Sequence, residues 1–156
     1  MWKKMLAVLL PVSVVVIVSV NCGGSGGNNG AGSGENNGAH QAVLKLSTTG
    51  TGMTIAAIDV TVQLPADVTY HDAAPSGVAT AANPLIAVNP NVPGTVHIGM
   101  ITVAGFGTGE FFTMNCDIAG GSTPSAADFL IVHFSAVDLA GRRIDSLAPI
   151  ISVEMR

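Results

Sequence analysis

The stretch Gly105–Ile118, GFGTGEFFTMNCDI, constrains the fold of this 156-residue chain more than any other. A glycine-rich corner, Gly105 to Gly109, feeds a run in which Phe112, Met114, Cys116 and Ile118 alternate with Thr113, Asn115 and Asp117. Successive side chains of an extended strand point to opposite faces, so this run is a half-buried strand with one apolar face. Glycine takes φ > 0 at no steric cost, which a tight corner into a strand requires. Phe111 falls on the face opposite Phe112, and Phe106 falls inside the corner itself.

The same two-residue period recurs. Ile58, Val60, Val62 and Leu64 alternate with Asp59, Thr61 and Gln63 until Pro65, which cannot donate to a sheet ladder. Val96–Val103 places Val96, Ile98 and Met100 on one face and His97, Gly99 and Ile101 on the other. Asp128–Leu139 is a further strand whose alternation slips near His133, so a bend or bulge is expected there. Shorter strands are expected at Val43–Leu46, Val68–Tyr70, Val78–Thr80, Leu85–Val88 and Ile150–Met155. Ser125–Ala127 has room for one helical turn, and Asn89–Gly94 is a loop by its turn residues. Eight to nine short strands separated by Gly, Pro, Asn and Asp predict an all-β sandwich over residues 41–156.

The segment before that domain reads as delivery. Lys3 and Lys4 precede an apolar run, Met5–Val20, that stops at Cys22, the pattern of a signal peptide over 1–21. Val18–Cys22 resembles the lipobox of bacterial lipoproteins, with Ser19 and Asn21 where Leu and a small residue are usual. The resemblance implies lipid attachment at Cys22 and an extracytoplasmic, membrane-anchored protein of the bacterial envelope. An uncleaved anchor and an ordinary secretory cut are the alternatives. Residues 22–40 are rich in Gly, Ser and Asn and hold no large apolar side chain, so a disordered tether is expected. Within it, Gly23–Gly27 satisfies G-x-S-x-G but lacks the strand and helix that a nucleophile elbow needs.

From Cys22 onward, four Lys and Arg face ten carboxylates, a net charge of −6. A chain without a basic surface cannot displace counterions from phosphates, which excludes nucleic acid as a partner.

GxGxGEFFTMNCDI followed by DFLIVHFSAVDLAG resembles the paired late strands of cohesin domains, and IDVTVQLPADVTY resembles the early cohesin strand. The similarity covers most of Gln41–Met155 and implies a nine-stranded jelly-roll sandwich of the cohesin and carbohydrate-binding-module type, in which cohesins bind dockerin modules through one face. Two departures stand out: the domain is short for a cohesin, and Pro65-Ala66-Asp67 replaces the usual aspartate-proline. No dockerin-contacting residue maps onto this chain.

The residues carry little sign of chemistry. The histidines His40, His71, His97 and His133 are dispersed, no His/Cys cluster has metal-ligand spacing, and the aspartates lack calcium-loop spacing. His71-Asp72 reads as a solvated loop pair. No catalytic residue, metal or cofactor is expected, and Cys116 reads as a small buried hydrophobe, a bridge to Cys22 being the alternative. The reading is therefore a non-catalytic binding module with a dockerin-type protein partner. Phe106 and Phe111 are its candidate contacts if they form an exposed patch, the alternative being that a second sheet covers Phe111. A polysaccharide partner is the alternative function. It is weakened by the aromatic inventory, in which Trp2 lies in the signal and Tyr70 is the only tyrosine.

Overall fold

The computed structural model describes residues 41–156, so the expected signal peptide (1–21), the tether (22–40) and Cys22 lie outside the described residues. Eight strands form two four-stranded antiparallel sheets around one core. In the first sheet, β1 (Gln41–Thr49) lies between β6 (Gly109–Ile118) and β8 (Ala148–Met155), and β3 (Val68–Pro75) borders β6. In the second, β2 (Ile55–Gln63) lies between β5 (Thr95–Phe106) and β7 (Leu130–Asp138), and β4 (Leu85–Asn89) borders β5. Among the described residues no helix is long and apolar enough to cross a membrane.

The period-two runs form the core as the sequence predicts. Phe112, Met114, Cys116 and Ile118 of β6 are buried, as are Ile58, Val60 and Val62 of β2 and Val96, Ile98 and Met100 of β5. Each such side chain contributes about 1.5–3 kcal/mol when taken from water. Val78–Thr80 is the one expected strand that does not form. It lies in a 3-10 helix, Gly77–Ala82, bracketed by Gly77 at φ 51° and Asn83 at φ 43°, which turn the chain out of any ladder. Gly77 also backs directly onto the Glu110 carbonyl, leaving no room for a Cβ. The expected turn near Ser125 is present as the 3-10 helix Ala126–Asp128, where Asp128 Oδ2 accepts from the Ser125 backbone N–H and hydroxyl at 2.7 and 2.8 Å.

Breaks in register re-aim particular side chains. In β7 the register slips opposite Thr61 and Val62, leaving Val132 as the extra residue beside His133, where the alternation of the sequence fails. In β6 the slip opposite Leu46 and Ser47 makes Phe111 the extra residue. In β3 the extra residue is His71. The largest break is in β5: Ile101 pairs with Ala57 and Phe106 with Ile55, so Thr102 to Gly105 bow outward opposite Ala56. Thr102 anchors that bow by donating to the Ala82 carbonyl at 2.9 Å, and Gly105 closes it at φ 71°.

Candidate interaction face

The bulges correct the expected Phe106–Phe111 patch. Phe111 is fully buried because the extra residue in β6 turns it inward beside Phe112. Phe106 is 5% exposed because the bow in β5 returns it to the ladder opposite Ile55, into the core. Neither ring is available to a partner. Phe112 and Phe129 are also buried, while Tyr70 and Phe134 are partly buried against the core, so no described residue offers an exposed aromatic platform for a sugar ring.

The exposed apolar surface lies elsewhere. Among strand residues the exposed large hydrophobics are Leu85, Ile86, Ile101, Val103, Leu130 and Val132, all from β4, β5 and β7. Register arranges the outer face of this sheet in three rows that cross all four strands, beyond a shorter one, Thr95–Gln63–Leu130. Across β4, β5, β2 and β7 run Asn89–His97–Thr61–His133, then Ala87–Gly99–Asp59–Ser135, then Leu85–Ile101–Ala57–Val137. The first row is polar, the second small apart from Asp59, and the third apolar. Val103, on the crown of the β5 bow, is 98% exposed.

Asp59 joins the rows. Its Oδ1 lies 2.8 Å from His97 Nε2 and 3.5 Å from His133 Nε2, so two histidines 36 positions apart flank one carboxylate. All three side chains are about half exposed on an open sheet. Sequence reasoning placed His97 and His133 in strands but missed Asp59, because cross-strand register is what unites them. Among the described residues around Asp59, no nucleophile is held against a base in a cleft. Among the described residues no three His, Cys, Asp or Glu groups are arranged to hold a metal ion.

The opposite sheet turns out a different set. Asp72, Glu110, Asp117 and Glu154 lie on its outer side with Lys45, which approaches Glu154 at 3.5 Å. His71 belongs to the edge strand β3, not to a loop, and its Nδ1 lies 3.0 Å from Asp117 Oδ2. That hydrogen bond, the Asp117 charge and the nearby Asp72 carboxylate raise its pKa above the ordinary histidine value. Cys116 is buried, and burial first, then the charges of Asp117 and Asp72, push its thiol up to about 12. A thiol so placed is not a nucleophile at neutral pH.

No protein-family model matches the sequence, and no curated protein matches it. Solved structures do match the fold. A non-cellulosomal cohesin from the archaeon Archaeoglobus fulgidus superimposes with TM-score 0.58 at 13% identity, over 74% of this chain and 79% of that one. The sixth cohesin of Acetivibrio cellulolyticus scaffoldin B, solved in complex with a mutant Cel5 dockerin, gives 0.59 at 15% identity over 74% and 90%. A type I cohesin–dockerin complex from Clostridium thermocellum gives 0.53 at 8% identity over 69% and 87%. At these identities the likeness shows the fold: residues 41–156 form a cohesin-type β-sandwich.

Proposed function

We propose that this chain is a non-catalytic, envelope-anchored protein-interaction module that docks a dockerin-type partner on the outer face of β4, β5, β2 and β7. The carrying observation is the confinement of strand-borne exposed apolar side chains to that one sheet. Apolar residues grouped on one face and bordered by polar ones mark a surface that a partner covers. The Acetivibrio and Clostridium structures of this fold contain dockerins, which favours a protein over a polysaccharide. Anchoring rests on the N-terminal sequence: two lysines, an apolar run and Cys22, followed by a Gly/Asn-rich tether.

Binding of the full chain to a panel of purified dockerins, read by biolayer interferometry, tests the reading. Saturable binding to at least one dockerin is expected, with no retention on insoluble polysaccharide. Retention on polysaccharide without dockerin binding would replace this reading with the sugar-binding one. Mass spectrometry of the exported chain should find an acylated Cys22 as its first residue, and a mature N-terminus elsewhere would remove the lipid anchor.

A further inference from the structure

Four strands border the two sheets, and three of them are guarded against pairing with another chain. β3 carries Asp72 and ends at Pro75, β4 is five residues long between Pro84 and Pro90, and β8 carries Pro149 and Glu154. Short length, charge and proline are the devices that blunt an edge. β7 has none of them over Leu130–Phe134, LIVHF, where Leu130 and Val132 are exposed. The other half of this strand is covered by its own chain. The Ala136 carbonyl accepts from the Ile144 N–H, and the Asp138 N–H donates to the Arg142 carbonyl, each at 2.9 Å. Residues of that parity therefore aim their backbone groups away from β2. Phe134 is next in the series, and among the described residues no backbone group meets it from that side. Beside this free half lies a cavity of about 260 Å³ between β7 and residues 143–149, where Ile131 and Phe134 are only partly covered.

We propose that the free half of β7 pairs antiparallel with the same strand of a second copy of this chain, joining two sheets edge to edge. The bulge at Val132 leaves Ile131 and Phe134 on the inner side of β7 and turns Val132 and His133 outward. A two-fold axis between Val132 and His133 preserves those sides. Ile131 then lies opposite Phe134 of the second copy, covering both cavities, and Val132 lies opposite its His133. A shift by one residue would set inner side chains against outer ones. Such a contact is the same patch on both copies and closes at two.

Charge agrees with this register. Residues 41–156 carry four Lys and Arg against nine carboxylates, yet no Lys, Arg, Asp or Glu lies in the paired run. Just beyond it, Asp128 of each copy falls opposite Val137 of the other, the residue that Arg143 bridges. Hydrogen bonds from the Ser125 backbone and hydroxyl hold the Asp128 carboxyl below its ordinary pKa, so it meets the guanidinium as an anion. The inference stands apart from the docking reading, because the new ladder lies in the plane of the sheet and leaves its outer face open.

Sedimentation velocity of the full chain in density-matched detergent tests this, with a thermal melt of each variant beside it. The unsubstituted chain should pass from monomer to dimer in the micromolar range, as a small interface does. Val132→Lys brings two ammonium groups together at the axis and should weaken the dimer at least about tenfold. Its melt should not move, since Val132 is exposed. Arg143→Glu should weaken the dimer about fivefold, and adding Asp128→Arg should restore it. A chain that stays monomeric at every concentration would overturn the proposal. A dimer indifferent to Val132→Lys would place the contact away from β7 and overturn it equally. A dimer weakened by Arg143→Glu but not restored by Asp128→Arg would overturn the antiparallel register.

Discussion

On one side of the sandwich, β3, β6, β1 and β8 turn Asp72, Glu110, Asp117, Glu154 and Lys45 to solvent. On the other, β4, β5, β2 and β7 turn out Leu85, Ile101, Val103, Leu130 and Val132 around one carboxylate. Both sheets contribute inward residues to the same buried core, so the core does not explain the contrast. An antiparallel sheet with one wet face has polar side chains outside. The first sheet leaves no large apolar strand residue exposed, its outward-parity Val43 being buried, whereas the second exposes Leu85 and Ile101 in its third row and Val103, Leu130 and Val132 beyond it. Departures that do not serve the core are where a functional surface is expected.

The contrast can be broken at several strengths. The largest effect concerns Phe111, whose inward aim depends on the β6 bulge. Phe111→Ala should destabilise the domain by about 3–5 kcal/mol, as for other buried aromatics. A loss under about 1 kcal/mol in denaturant melts would place the ring outside and restore it as a contact. Next come two glycines of one strand. Gly105, at φ 71° and packed against Thr54, has no room for a methyl group, and Gly105→Ala should cost about 1–3 kcal/mol. Gly99→Ala should instead stabilise by about 0.5–1 kcal/mol, since the site is open and its backbone unstrained. Thermal melts that ranked the two alike would remove the distinction between a glycine the backbone requires and one it does not.

The smallest effect belongs to the charged face. The folded pKa of His71 lies above its ordinary value of 6.5, through the Asp117 hydrogen bond first. Its contribution is therefore fully present below pH 6.5 and is lost as pH rises through the higher folded value. Because the ring is exposed, the change should be slight, as surface ion pairs are. His71→Gln should flatten that part of the stability–pH profile, and an unchanged slope would show that the pair does not form in solution.

Much of the architecture was legible because burial imposes a period of two. The runs Ile58–Leu64, Val96–Ile101 and Phe112–Ile118 announce both their strands and their inward faces. The slip at His133 even announced the bulge at Val132. What stayed hidden was set by register and by insertion. Phe111 follows the outward parity of its strand until one extra residue reverses it, and that residue is defined only by the partner β1. The full length of β3, which runs to Pro75, depends on its pairing with β6 across the bulge at His71. Val78–Thr80 carries strand-forming residues, but Gly77 and Asn83 in left-handed conformations override them. The candidate site was the least legible part. Asp59, His97 and His133 are far apart in the chain and meet because β2 lies between β5 and β7.

The central claim is that the apolar outer face, not the charged one, receives the partner. Paired substitutions measure this directly: Ile101→Asp on β5 and Thr113→Asp on β6, each in the full chain, with dockerin affinity read for both. A buried charge opposite an apolar partner should weaken binding at least about a hundredfold for Ile101→Asp, while Thr113→Asp should change it by less than about threefold. Affinity lost through Thr113→Asp and kept through Ile101→Asp would assign docking to the charged sheet and contradict the account.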